Sequence, residues 1–193
     1  MSLAKQTDKN YRSIASNGPP VHLEFEKIET PEPKSQWDDC LKLSNAHCVT
    51  VVGCEINTEG GNQEDGIDIS RFTRECYITA STIGCGGKYA ITIKGGSYKI
   101  TISDCIITGE RGWEGVDIDI GNFSDWNYAN THSITLENVT RRDLRPVTVR
   151  IGHGSDVDII GGNVKVLVAQ SLLLKGYVWA KFHLQRIFNP KRK

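Results

Sequence analysis

A short apolar alternation recurs five times between Leu41 and Val164, and few folds can accept a chain so patterned. Each unit holds a hydrophobic-x-hydrophobic strand and a second one that starts, in all but the fourth unit, about seven to ten residues later. The second strands align without gaps at Val49-Thr50-Val51, Cys76-Tyr77-Ile78, Ile100-Thr101-Ile102, Ile134-Thr135-Leu136 and Val157-Asp158-Ile159. Five residues after the first position of each stands Cys54, Ser81, Cys105, Val139 or Gly162. Two further on comes Ile56, Ile83, Ile107, Arg141 or Val164, so that Arg141 alone breaks an aliphatic series. The starts lie 27, 24, 34 and 23 residues apart, a period that means stacked coils.

One such coil cannot bury its apolar face. Stacking places like positions above one another, in columns such as Val51/Ile78/Ile102/Leu136/Ile159, and the residues between them point the other way. The first strands are Leu41-Lys42-Leu43, Ile67-Asp68-Ile69, Ile91-Thr92-Ile93, Ile118-Asp119-Ile120 and Val147-Thr148-Val149. A third short strand near Ile56, Ile83 and Ile107 completes each coil. Three segments follow: residues 1–36 as leader and N-terminal cap, 37–164 as the coils, and 165–193 as C-terminal cap. In the leader, Val21 to Glu26 alternates with period two and reads as a strand able to cover the first coil's open edge. The tail fits helix or strand.

The composition narrows the function classes. Acidic and basic residues balance at 23 each, which gives no sign of a nucleic-acid partner. Lys165, Lys175 and Lys181 interrupt the apolar tail, so no membrane span is expected. Met1 to Pro20 is polar and lacks the apolar stretch of a secretory signal, and extracellular and virion-associated locations both stay open. Cys54 and Cys105 occupy one repeat position two coils apart, near 9.6 Å at a strand spacing of about 4.8 Å, too far to bridge. The cysteines read as small apolar fillers.

Columns of Thr and Ile with about 25 residues per turn resemble the pectin lyase-like right-handed parallel β-helix, over Leu41 to Val164. The resemblance implies an all-β, single-stranded, right-handed solenoid of about five coils. It also implies a substrate groove on the first-strand face, where Asp68, Thr92, Asp119 and Thr148 form a column with Asp65, Asp117 and Arg150 beside it. Glu64-Asp65-Gly66-Ile67-Asp68-Ile69 looks like the polygalacturonase motif whose first aspartate is catalytic, a match that falls on Asp65. The paired aspartates of the second motif are replaced by Lys88-Tyr89. Gly152-His153-Gly154 echoes the third motif but follows its strand, and Arg150-Ile151-Gly152 echoes the fourth without its lysine. Lyase chemistry would instead use Asp68, Asp117 and Asp119 to hold Ca²⁺, with Arg150 or Lys88 as the cationic group. His153 is a candidate general base.

The long fourth period comes from an insertion, residues 122–131, carrying Phe123, Trp126 and Tyr128 among Asn and Asp. Aromatic faces stack on sugar rings, and loops on rigid scaffolds often carry function. Trp113 and Glu114 precede the same coil and could line the same wall. The leading expectation is therefore a carbohydrate-binding β-helix whose partner is a polysaccharide or glycan. The alternatives are a lyase or hydrolase on acidic glycans, and a structural component of a virion or appendage that forms a homo-oligomer.

Overall fold

The computed structural model describes residues 3–6, 12–15, 19–29, 39–58, 65–85, 87–110, 112–121, 131–152, 155–168 and 183–184. Three sheets form a parallel β-solenoid. The first contains, in spatial order, Leu3–Gln6, Arg12–Ala15, Leu41–Ser44, Ile67–Ser70, Ile91–Ile93, Ile118–Ile120, Val147–Ile151 and Val164–Val168. The second runs through Val21–Glu24, His47–Val52, Arg74–Thr79, Tyr98–Ser103, His132–Glu137, Val157–Ile160 and His183–Leu184. The third comprises Lys27–Ile28, Glu55–Ile56, Thr82–Gly84, Ile106–Thr108 and Thr140–Arg141. Pairing is parallel except between Leu3–Gln6 and Arg12–Ala15. The repeat amounts to about four turns rather than five. The fifth unit supplies strands to the first two sheets, but the third sheet ends at Thr140–Arg141.

The second-strand columns stand as the alternation requires. Val49, Cys76, Ile100, Ile134 and Val157 are register partners, as are Val51, Ile78, Ile102, Leu136 and Ile159. Nearly all are fully buried, each contributing roughly 1.5–3 kcal/mol of hydrophobic stabilisation when aliphatic. Val21–Glu24 lies parallel on His47–Val52, so Leu23 extends the same column. All six cysteines are reduced and five are buried.

One register differs from expectation. Spacing places Thr148 beside Asp119, whereas Ile118 pairs with Val149 and Asp119 with Arg150. Val147–Ile151 offers three inward apolar positions, so the alternation alone allows two registers. Two contacts choose between them: the Thr148 N–H donates to Asp117 Oδ2 at 2.7 Å, and Arg150 Nε donates to Asp119 Oδ1 at 2.7 Å.

Corners after the second-sheet strands use left-handed backbone at the same place in every turn: Phe25, Gly53, Ala80, Asp104, Asn138 and Gly161 all have positive φ. Each donates its N–H to the turn above, except Gly161, for which no such bond is described. Gly84 is required for another reason. A Cβ there would meet the Asn57 carbonyl oxygen at 1.9 Å, so only glycine lets successive corners approach so closely. No helix among the described residues is long and apolar enough to cross a membrane.

Candidate functional site

Alternation along the first strands sets Lys42, Asp68, Thr92, Asp119 and Arg150 in one column. The carboxylates are buried rather than open: Asp65, Asp68, Asp117 and Asp119 are each no more than 2% exposed. Buried charge requires a partner. Asp68 has Lys42 at 3.1 Å and Lys94 at 3.5 Å, and Lys42 reaches Asp39 at 2.9 Å. At the other end Arg150 binds Asp119, Glu114 and, at 2.6 Å, the hydroxyl of Tyr89, with its guanidinium 5.4 Å from that ring's centre. Tyr89 therefore serves as a prop for Arg150.

Burial and the neighbouring Asp39 carboxylate raise the pKa of Asp65 to about 7. Asp117 is engaged from two sides. One oxygen takes the Thr148 N–H, and the other binds Arg141, whose guanidinium also donates to the Gly109 carbonyl at 2.6 Å and to Asp143. Arg141 is the break in the aliphatic series, and it sits in register with Ile107. Its partner explains why the core tolerates it.

Asp68, Asp117 and Asp119 do not make a common calcium sphere. Asp68 and Asp119 are separated by the Thr92 strand, about 9.6 Å across two strand spacings, while two oxygens on one Ca²⁺ lie within about 5 Å. His153, Phe123, Trp126 and Tyr128 fall outside the described residues. Trp113 and Glu114 lie on a short 3₁₀ turn, Trp113–Gly115, with Glu114 at φ 58° and bonded to Arg150.

The second-strand sheet carries the open surface. A groove of about 540 Å³ is lined by Pro20, Cys48, Thr50, Glu75, Tyr77, Lys99, Thr101, Ser133 and Thr135. Thr50, Tyr77, Thr101 and Thr135 are register partners and form its floor. Tyr77 is 52% exposed. Beside the floor, Tyr98 stacks on His132 with ring centres 5.1 Å apart.

The groove's rim has a backbone cause. Cys48, Glu75, Lys99 and Ser133 all have φ between 52° and 55°, and each is skipped in the ladder between its paired neighbours. These left-handed residues stack one against one in successive turns, and the positive φ turns each side chain out of strict alternation. Cys48 thereby comes to lie beside its own neighbour His47, and both meet Glu75 from the next turn. His47 Nε2 is 2.8 Å from Glu75 Oε2, Cys48 Sγ is 3.1 Å from His47 Nε2, and the thiol donates to Glu75 Oε2 at 3.3 Å. Lys99 donates to the other Glu75 oxygen at 3.2 Å. These hydrogen bonds, Cys48's first, hold the Glu75 carboxyl down at about 2.

None of these groove residues stands out in the sequence. His47 fits no ligand spacing along the chain. The usable signal is the position just before each second strand, occupied in turn by Cys48, Glu75, Lys99 and Ser133. The chain matches no protein-family model, no curated protein and no solved structure. What stands is the fold: a parallel β-solenoid.

Proposed function

We propose that the chain is a carbohydrate-binding β-solenoid of the pectin lyase-like kind, and that the glycan lies along the groove of the second-strand sheet. The observation that carries this reading is the exposed ring of Tyr77 within a row of threonine hydroxyls, Thr50, Thr101 and Thr135. A polymer running parallel to the solenoid axis would meet a hydroxyl or the aromatic ring about every 4.8 Å. The ring offers a stacking face, and Glu75 and Lys99 on the rim offer charged hydrogen-bond partners. The first-strand face is a weaker candidate because its carboxylates are buried and paired with Lys42, Lys94, Arg141 and Arg150. The same burial weighs against a lyase or hydrolase built on those aspartates.

The test is retention on a panel of neutral and acidic polysaccharides by the intact chain and its Tyr77→Ala, Thr101→Val and Trp126→Ala variants. Loss of retention in Tyr77→Ala and Thr101→Val, with Trp126→Ala unchanged, supports the groove. Loss confined to Trp126→Ala moves the site to the insertion. A chain that binds no glycan and instead forms a stable oligomer in light scattering is the structural component, and the proposal fails.

A further inference from the structure

The convergence of His47, Cys48 and Glu75 at the end of the groove admits two kinds of chemistry, a nucleophile with its base or a metal site. In a Cys–His–carboxylate relay the thiol meets one imidazole nitrogen and the carboxylate the other, so that a proton can pass across the ring. Here both partners meet the same nitrogen, Nε2, at 3.1 Å and 2.8 Å. Three ligand atoms gathered within 3.3 Å of one another fit a shared cation and do not fit a relay. Among the described residues, this is the group of three whose donor atoms all lie within 4.8 Å of one another.

We infer that His47 Nε2, Cys48 Sγ and Glu75 Oε2 form a three-ligand site for a divalent transition metal of the Zn²⁺ class, with its fourth position open to the groove. A thiolate beside an imidazole selects against Ca²⁺ and Mg²⁺. Thiolate and carboxylate together balance the metal's double charge. Tetrahedral zinc sets its nitrogen and oxygen ligands about 3.3 Å apart and its sulfur about 3.5 Å from either. The observed triangle of 2.8, 3.1 and 3.3 Å therefore has to open by only a few tenths of an ångström. Side chains that are 37% exposed at His47 and 34% at Glu75 have the freedom to do so. Lys99 occupies Glu75 Oε1 and leaves Oε2 to the metal, orienting the carboxylate from behind. On binding, the S–H bond of Cys48 is exchanged for a sulfur–metal bond and the proton leaves to the buffer.

The site does not depend on the groove binding glycan, so its test uses the metal alone. The intact chain, freed of metal by chelator, is titrated with Zn²⁺ in a calorimeter and separately with Co²⁺ in a spectrophotometer. The expected result is a single bound ion per chain and a thiolate-to-cobalt charge-transfer band. Cys48→Ser should abolish that band, and Cys48→Ser and His47→Asn should each weaken Zn²⁺ binding by about tenfold or more, one ligand of three being lost. Lys99→Gln, which is not a ligand, should keep the band. Circular dichroism of each variant confirms that the fold is unchanged, as substitutions at half-buried positions allow. Absence of Zn²⁺ binding by the intact chain overturns the inference, as does an unaltered cobalt spectrum in Cys48→Ser.

Discussion

Replacing Arg141 with Ile should look like a repair, since it extends the column Ile56, Ile83 and Ile107 by one more aliphatic side chain. It should instead be among the most damaging single changes in the chain. The Asp117 side chain is 0% exposed and that of Arg141 1%. Without the guanidinium the carboxylate keeps the Thr148 N–H but loses its counter-ion, and the Gly109 carbonyl loses its Arg141 donor. Breaking one side of a buried ion pair costs about 3–5 kcal/mol. For a domain of this size that is a fall in Tm of roughly 6–20 °C. Removing both charges is a different perturbation. In Arg141→Ile/Asp117→Asn the Thr148 N–H still finds an oxygen, neither position carries a charge, and stability should return to within about 2 kcal/mol of the parent. The assay is urea unfolding at pH 7 followed by far-ultraviolet circular dichroism, for the parent, both single variants and the double. A single Arg141→Ile as stable as the parent, or a double variant no better than that single, refutes the reasoning.

Other perturbations follow from the same geometry. Ala80 is exposed and left-handed at φ 50°, where a Cβ costs about 1–2 kcal/mol; Ala80→Gly should therefore stabilise by about 0.5–1 kcal/mol after the added unfolded-state entropy, and a lower urea midpoint would contradict this. Asp65, raised to about 7, gives stability that is fully present below its ordinary value near 3.8 and is lost as pH rises through about 7. Asp65→Asn should accordingly flatten the stability profile between pH 4 and pH 8 and gain on the order of 4 kcal/mol at most at the alkaline end, read as the urea midpoint at each pH. Burial pushes the Cys76 and Cys85 thiols up to about 12 and Cys105 to about 11, and desolvation and Glu75 raise Cys48 as well, but Cys48 is half-buried at the groove where the other five are buried. An aromatic disulfide reagent should therefore modify Cys48 alone in the native chain and the other five thiols after denaturation; fast modification of a second thiol would contradict the buried columns.

The second-strand ladder was legible because each inward position is aliphatic or Cys76 in every unit and a one-residue slip would turn all of them outward. The fifth first strand was not, since Val147, Val149 and Ile151 fit two registers equally and polar contacts from Asp117 and Asp119 decide. Arg141 was legible as a break, but its partner Asp117 lies 24 residues away, in the bend before the strand Ile118–Ile120. The groove stayed hidden for a backbone reason. The left-handed backbone at Cys48, Glu75, Lys99 and Ser133 sets aside the alternation by which faces are assigned, and no residue type at those four positions announces it. Alternation gives the aspartate column its direction and says nothing of what lies over it. Lys42, Lys94 and Arg150 pair with it.

The groove, its threonine row and the metal ligands all depend on strict parallel registry in the second-strand sheet. The pairing of Thr101 with Thr135, across the long insertion, is where that registry has most freedom to fail. Cysteines placed at these two positions, in a chain carrying Cys48→Ser, should sit about 4.8 Å apart and close a disulfide on mild oxidation. The pair Thr101→Cys/Glu137→Cys, offset by two residues, should stay reduced, because Glu137 faces Ser103. Equal cross-linking of both pairs, or cross-linking of the offset pair alone, would contradict the stacked ladders.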